Sequence, residues 1–250
     1  MPTDRQIRLG LWLSLLVSAD ANRRYYGLPT TWVPHTVGNT IGLALPEVVA
    51  ALDRLLATLA PDSATLQGLR ATAREVTTAP PGWAATMAPV TLAYVVSHPQ
   101  FNIYKGELGE LRLLGFGLDA LPHSATAFSL THLVYQSIEA LAKHMPSQAA
   151  LGPLARRLNR HPVLVAGLVL AGLTAFYEVG EYRIHQAELE ATGGDVRRIN
   201  MVWDVNDTAH DIVSNLVGWL LATWVQQQAP ELVPSPESSA LSPQSSTLSA

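Results

Sequence analysis

The chain has 250 residues, of which 48% are hydrophobic and only 14% are charged, whereas soluble domains usually carry roughly 25% charged residues. Its formal net charge of −4 argues against a basic surface for nucleic acid, so no nucleic acid is expected as a partner. Cysteine is absent, which excludes disulfides and thiolate metal sites. This composition favours a protein that is embedded in a lipid bilayer, which only helices or closed barrels can cross.

The N-terminal part, residues 1–60, is predicted to form membrane or interfacial helices. A short apolar run over 9–19 follows basic residues, as in a signal peptide, but we expect a first membrane or interfacial helix there. Segment 46–60 has apolar residues at helical spacing, which indicates either an amphipathic helix or the polar end of a span that begins near Val37. Residues 61–82 follow as a polar connection.

Residues 83–228 are predicted to form a transmembrane bundle, because a span needs about 20 predominantly apolar residues and several segments approach this pattern. In chain order these segments are 83–98, 120–141, 161–182 and 207–227. Together with the N-terminal part, they predict an all-α, polytopic transmembrane helix bundle of about five spans in the cell membrane. The Pro- and Ser-rich tail over 229–250 is predicted to be disordered.

The order of the last three spans brings three helix ends to one membrane face. The connection 142–160 carries four basic residues and no acid, so the positive-inside bias places it in the cytoplasm. The start of 120–141, the end of 161–182 and the start of 207–227 then lie together at the opposite face. Their convergence holds whichever way the bundle is oriented.

Acidic and histidine side chains concentrate at these three ends, at helical spacings of three or four residues. They are Asp119 and His123, then Glu178, Glu181 and His185, then Asp207, His210 and Asp211, with Asn215 one turn deeper. Glu178 and Glu181 are expected at the C-terminal end of their helix, where the helix dipole disfavours acids and some other group must compensate them. Acids inside a membrane are costly, which makes Asp211 a candidate functional residue.

Such a group of side chains has three common explanations. Carboxylate oxygens and imidazole nitrogens bind hard or borderline cations. They also share protons as a relay or as a general acid and base. Alternatively, they cap helices and bond to one another without chemistry, and for Asp119 and Asp207 taken singly, capping is as well supported as function.

Other polar and small residues are placed by position alone. Tyr104 and Lys105 lie just before helix 120–141 and could cover the site. His132 is interpreted as a hydrogen-bonded histidine of the bundle, and the other histidines are interpreted as loop or interface residues: His35, His98, His144 and His161. Gly167, Gly172 and Gly218 are expected at close contacts between helices.

Three motifs in this order resemble those of the YjdF-like inner-membrane proteins. They are Asp119-x-x-x-His123, Phe176-x-Glu178-x-x-Glu181 and Asp207-Thr-x-x-Asp211. The resemblance covers roughly residues 105–225, and Asp211-x-x-x-Asn215-x-x-Gly218 is more distantly similar to the closing helix of VanZ-like proteins. The resemblance implies a multi-pass membrane protein and supplies no reaction.

Three functional hypotheses follow. In the first, the protein is a membrane enzyme or metal-binding protein that acts on an amphiphilic or lipid-like substrate. There His123, Glu178 and Asp211 hold a divalent metal ion, and Glu181 or Asp207 is the catalytic base. The supporting residues are Asp119, His185, His210 and Asn215. The second hypothesis is a proton-coupled transporter or carrier that uses the same acids, and the third is a structural membrane subunit whose acids only cap and pair.

Overall fold

The computed structural model describes residues 2–113 and 115–228, and the fold is all-α, with 76% of these residues in helices. The described residues form ten helices: α1 (Asp4–Tyr26), α2 (Pro29–Leu43), α3 (Leu45–Leu59), α4 (Ala64–Thr78), α5 (Trp83–Val95), α6 (Gly106–Gly109), α7 (Ala120–His144), α8 (Gly152–Asn159), α9 (Pro162–Ala191) and α10 (Val205–Gln228). A short antiparallel ribbon pairs β1 (Arg112–Leu113) with β2 (Phe116–Gly117). The tail over 229–250, for which disorder is predicted, lies outside the described residues.

Among the described helices, α9 is the one that is both long and apolar enough to cross a membrane. Only 6% of its most apolar stretch is buried inside the protein. Large apolar side chains such as Leu164, Leu168 and Phe176 point outward from it. An apolar helix that turns its side chains outward needs an apolar surrounding, which a bilayer or a partner protein would supply. α5 is apolar as well but shorter.

The helix α9 continues well past its apolar run, to Ala191. The expectation that it ends near residue 182 was wrong, because residues 183–191 are mostly good helix formers and extend it by more than two turns. Glu178 and Glu181 therefore lie in the interior of the helix. The unfavourable dipole at a helix C-terminus does not act on them.

The N-terminal part contains more separate helices than its hydropathy pattern predicts. A break at Ala44 separates α2 from α3, because Pro46 in the first turn of α3 has no N–H to continue the preceding helix. A continuous span from Val37 is therefore not formed, and α3 is a separate helix without a buried residue. The polar connection 61–82 contains α4, whose first turn is capped by the hydroxyl of Ser63.

A buried arginine joins the first three helices. Arg8 of α1 is only 8% exposed, and its guanidinium lies 2.8 Å from the Asp4 carboxylate. It also donates to the Leu43 carbonyl at 2.6 Å and, through two nitrogens, to Glu47 at 2.7 Å. Because a buried charge is tolerated only when it is paired and hydrogen-bonded, this network fixes α1 against the junction of α2 and α3.

A glycine sets the close approach of α10 to α7. A Cβ at Gly218 would collide with the carbonyl oxygen of Ser124, so no larger residue fits without moving a helix. Gly167 lies against the Trp219 ring, where a Cβ would stand 3.4 Å from it. A Cβ at Gly172 would meet no other described residue within 4 Å. The close helix contact predicted for this glycine was therefore wrong.

A second buried charge connects both halves of the chain. Glu188, near the end of α9, is fully buried. One carboxylate oxygen accepts hydrogen bonds from the hydroxyls of Thr30 and Thr31, at 2.5 and 2.9 Å. The other accepts from the backbone N–H groups of Asn200 and Met201, at 2.6 and 2.9 Å. Four donors therefore satisfy this acid without a basic partner.

Replacing Glu188 with glutamine should lower the free energy of unfolding by about 2 kcal/mol, because an amide group would meet two N–H donors in place of an acceptor oxygen. The matched control is E190Q, which changes an exposed side chain of the same helix. Thermal unfolding of the purified protein measures both. Equal stability of the two variants would contradict the structural role of Glu188.

Candidate functional site

A cavity of about 590 Å³ lies between α2, α5, α7, α9 and α10. Its lining is strongly acidic, with two basic residues, Lys105 and Arg112. The six acidic lining residues are Asp119, Glu178, Glu181, Asp204, Asp207 and Asp211. His123 and Asn215 line it too, so most of the residues that the sequence singles out share one cavity.

Three carboxylates form the centre of this acidic surface. Glu178, Glu181 and Asp211 each offer a ligand oxygen, and these oxygens lie within 4.8 Å of one another. Glu178 and Glu181 stand one turn apart on α9, so they share one face of that helix, and Asp211 faces them from α10. Helix bundles commonly build metal sites in this way, from carboxylates on facing helices.

Two other side chains contact the triad. The Thr208 hydroxyl donates to Glu178 at 2.6 Å, one turn before Asp211 on α10. The Nε2 atom of His123 lies 3.3 Å from an Asp211 oxygen. Asp211 itself is only 4% exposed. The imidazole from α7 therefore positions the most buried acid of the triad.

The two basic residues of the lining do not neutralise these acids. The Lys105 ammonium donates to the carbonyl of Ile199, and Arg112 donates to the carbonyls of Gly109 and Leu111. Within residues 2–113 and 115–228, no lysine or arginine forms an ion pair with Glu178, Glu181, Asp207 or Asp211. The triad therefore differs from Glu188, whose carboxylate receives four hydrogen bonds from the protein.

The lining of the cavity changes from charged to apolar along α9 and α7. On α9 its lining runs from Glu181 and Glu178 to Leu173 and Leu170. These ends are eleven residues apart, or about 16 Å along the helix axis. The lining on α7 likewise runs from Asp119 at one end to Leu130 at the other. One end of the cavity is therefore charged and the other largely apolar.

Two predicted site residues lie apart from the cavity lining. The His185 ring nitrogen Nδ1 is 3.1 Å from the carbonyl oxygen of Met201. The His210 ring stands edge-on to Phe116, with centroids 5.7 Å apart. Both are supported by the loops on either side of the site. Neither ring forms a hydrogen bond or an ion pair with the acid cluster in the described residues. Their predicted supporting role stays a prediction.

Capping is distributed differently from the sequence-based expectation. The Asp204 carboxylate accepts from the N–H groups of Asn206 and Asp207, and so caps the first turn of α10. Asp207 lies inside the helix, and it lines the cavity. Asp119 occupies the N-cap position of α7, but its side chain makes no capping hydrogen bond. The capping alternative is therefore wrong for both Asp119 and Asp207.

The wall contributed by the N-terminal half is not indicated by the sequence. His35 lies inside α2, not in a loop, and stacks on Tyr94 with ring centroids 4.9 Å apart. Its Nε2 atom is 3.5 Å from the Tyr177 hydroxyl. Asn39, one turn further, has a buried Oδ1 that accepts no hydrogen bond from the described residues, and the Thr126 hydroxyl is likewise without a partner there. Both line the cavity, and an orphaned polar atom is costly unless a ligand or water satisfies it.

Tyr104 and Lys105 do cover the site, as their position in the sequence indicates. The Tyr104 hydroxyl donates to the carbonyl of Ala93, and its ring stands edge-on to His123 at 6.3 Å. Burial raises the pKa of Tyr104 well above its usual value. Burial lowers the pKa of Lys105 to about 8, partly opposed by the charge of Glu188.

Comparison with known proteins assigns no family: no family model, curated protein or solved structure matches the chain.

The ammonium group of Lys105 should lose its proton near pH 8, because burial disfavours its charged form. Lys105 and Lys143 are the two lysines of the chain, so reductive ¹³C-methylation gives two lysine signals, and K105R assigns one of them. The Lys105 signal should titrate with a midpoint near pH 8. A midpoint above about 10, as for a free lysine, would contradict the burial of this side chain.

Proposed function

We propose that the protein is a multi-pass protein of the cell membrane that binds a divalent cation at Glu178, Glu181 and Asp211 and acts as an enzyme on an amphiphilic substrate. The observation that carries this proposal is the carboxylate triad, with its three ligand oxygens within 4.8 Å at one end of a large cavity. The motifs that resemble those of the YjdF-like inner-membrane proteins, and their order in the chain, support a location in the membrane.

Repulsion within the triad favours a bound cation over a purely structural role. When all three carboxylates are ionised, two of their charges separated by 4.8 Å repel by about 3 kcal/mol at an effective dielectric constant of about 20. A hydrogen bond such as that from Thr208 to Glu178 contributes about 1–3 kcal/mol, which does not offset the repulsion of three such pairs. A divalent cation removes it for all three pairs at once.

The donor set favours a hard or borderline ion. Three carboxylate oxygens suit Mg²⁺, Mn²⁺ or Ca²⁺, and the nearby imidazole of His123 extends the choice to Zn²⁺ or Fe²⁺. Glu181 belongs to this ligand set by its distance, in addition to the expected Glu178 and Asp211. His123 contacts Asp211 and would orient it or add a fourth ligand.

Of the two carboxylates expected as the catalytic base, Glu181 belongs to the proposed ligand set, and Asp207 would serve as the base. It lies one turn before Asp211 on α10 and lines the same cavity. A bound divalent ion would polarise a substrate oxygen or a water molecule. Asp207 would accept the proton that this water or substrate hydroxyl releases, and Tyr104 and Lys105 would cover the reacting groups from the loop side.

The two ends of the cavity fit an amphiphile. A polar headgroup would lie against the acidic end, and an apolar chain would extend toward Leu130 and Leu170. Along its side, Asn39 and Thr126 line the cavity with polar side chains. A lipid-like substrate has this sequence of charged, polar and apolar parts.

Outward-facing apolar side chains on helices other than α9 support several membrane spans. They include Leu9, Leu13 and Val17 on α1, Val48, Leu52, Leu55 and Leu59 on α3, and Ile212, Leu216, Leu220 and Trp224 on α10. Exposed apolar surface on this scale is typical of a membrane or protein interface. It accords with a bundle of about five spans in which α9 is the most apolar member.

The cation site predicts that the purified protein binds Mn²⁺, a probe that electron paramagnetic resonance detects directly. E178Q, E181Q and D211N should each weaken binding by more than about tenfold, since loss of even an outer-shell partner commonly costs 10–100-fold. The control E190Q removes an exposed acid from the same helix and should bind as wild type.

Wild-type protein that holds no metal after purification, and has no affinity for added Mn²⁺, Mg²⁺, Ca²⁺ or Zn²⁺, would overturn the cation proposal. In that case the same acids are better explained as proton carriers. A pH-gradient-driven flux in proteoliposomes that D211N abolishes would then favour the proton-coupled carrier. No flux, together with a lowered stability of the three variants, would favour the structural subunit.

The substrate proposal predicts that a photoactivatable phospholipid in nanodiscs labels the deep end of the cavity at Leu130. L170W fills this end, where Leu170 is 8% exposed, and should reduce labelling of Leu130 several-fold. The control L168W adds the same ring to a position that is 64% exposed on the outer face and should change nothing at Leu130. Leu220, 52% exposed on α10, reports labelling by bulk lipid. Labelling of Leu220 alone would overturn the lipid-like substrate.

A further inference from the structure

A basic pocket lies at the junction of α8 and α9, within the segment that carries no acid. It has a volume of about 410 Å³ and is lined by Pro153, Arg156, Arg157, Arg160 and His161. It shares no lining residue with the acidic cavity. Its charge is therefore opposite to that of the proposed cation site and calls for a different ligand.

The positive charge of this pocket is not neutralised by the protein. Arg156 donates to the hydroxyl and the carbonyl of Ser147, at 3.0 and 3.3 Å. The side chains of Arg157 and Arg160 are exposed and form neither a hydrogen bond nor an ion pair with any described residue. Two free guanidinium groups beside one another repel, and an anion between them would remove that repulsion.

Helix dipoles account for only part of this cluster. Arg156 and Arg157 lie in the last turn of α8, where a helix dipole favours cations. Arg160 and His161 follow that helix and directly precede Pro162, the first residue of α9. At the start of a helix the dipole disfavours cations and favours anions. An anion held here would interact favourably with the guanidinium groups and with the start of α9.

The position of the pocket indicates which anion it holds. The apolar run of α9 begins at Val163, two residues after His161, so a membrane-inserted α9 places the pocket at the depth of lipid headgroups. Leu154, 49% exposed, follows Pro153 of the pocket, and Leu164, 61% exposed, lies one turn beyond His161. Apolar side chains thus adjoin the basic ones, as acyl chains adjoin a lipid phosphate.

We infer that Arg156, Arg157, Arg160 and His161 form a binding site for the phosphate of an anionic membrane phospholipid. The inference rests on the proposed insertion of α9 into the membrane and is independent of the cation site. Arg157 and Arg160 supply guanidinium groups that bond to no described residue. Arg156 is held by its hydrogen bond to Ser147 and forms a fixed part of the pocket lining.

The test measures lipid preference of the full-length protein in detergent by native mass spectrometry. Wild type should retain phosphatidylglycerol in preference to phosphatidylcholine, and R157Q/R160Q should reduce that preference by at least about tenfold. The control R197Q/R198Q removes the same charge from two exposed arginines of the opposite connection and should keep the preference. Equal loss in both double variants, or none in R157Q/R160Q, would overturn the inference.

Two further measurements distinguish a bound lipid from a free phosphate and test the membrane location. Glycerol phosphate, which lacks acyl chains, should not displace the retained lipid; displacement at equal concentration would identify a site for a free phosphate and overturn the lipid assignment. Carbonate extraction of membranes should leave the wild type in the pellet. Its release would overturn the membrane location itself, whereas retention with an unchanged lipid preference in R157Q/R160Q overturns only the headgroup site.

Discussion

The close contact of α10 with α7 at Gly218 is the constraint on which the site depends. Because a Cβ at Gly218 would collide with the Ser124 carbonyl, the two helices approach as closely as their backbones allow. The Ser124 hydroxyl donates to the carbonyl of Ser214 at 2.9 Å and fixes the register of the pair. Two turns before Gly218 on α10, this register brings Asp211 against His123. A wider separation of the helices would open the acid cluster.

Glu188 and the three cavity acids have different surroundings. Glu188 is buried completely and receives four hydrogen bonds from the chain itself. The triad of Glu178, Glu181 and Asp211 receives few donors, faces a cavity and is crowded with like charge. Glu188 is therefore satisfied within the folded chain, whereas the three cavity acids have few hydrogen-bond donors among the described residues.

Hydropathy and helical spacing identify much of the site in advance. Apolar runs locate α7, α9 and α10, and the alternation of their directions brings the acidic ends to one cavity, as the lining shows for Asp119, Glu178 and Asp211. Neither property reveals where a helix ends beyond its apolar run, which is why the extension of α9 and the role of Glu188 are missed. The wall formed by His35 and its neighbours depends on contacts between residues more than 50 positions apart in the chain, which local patterns do not encode.

The hydrogen bonds of Glu188 also bear on the order in which the protein is assembled. Thr30 and Glu188 are 158 positions apart, and the backbone groups that complete the set belong to Asn200 and Met201. During synthesis from the N-terminus, α2 therefore has to wait for most of the chain before its first turn gains this partner. The cavity behind it, to which Thr31, Asn200 and Met201 all contribute, has no complete wall until then. A chain truncated before residue 188 would hold the carboxylates of α9 without the residues that complete this side of the cavity.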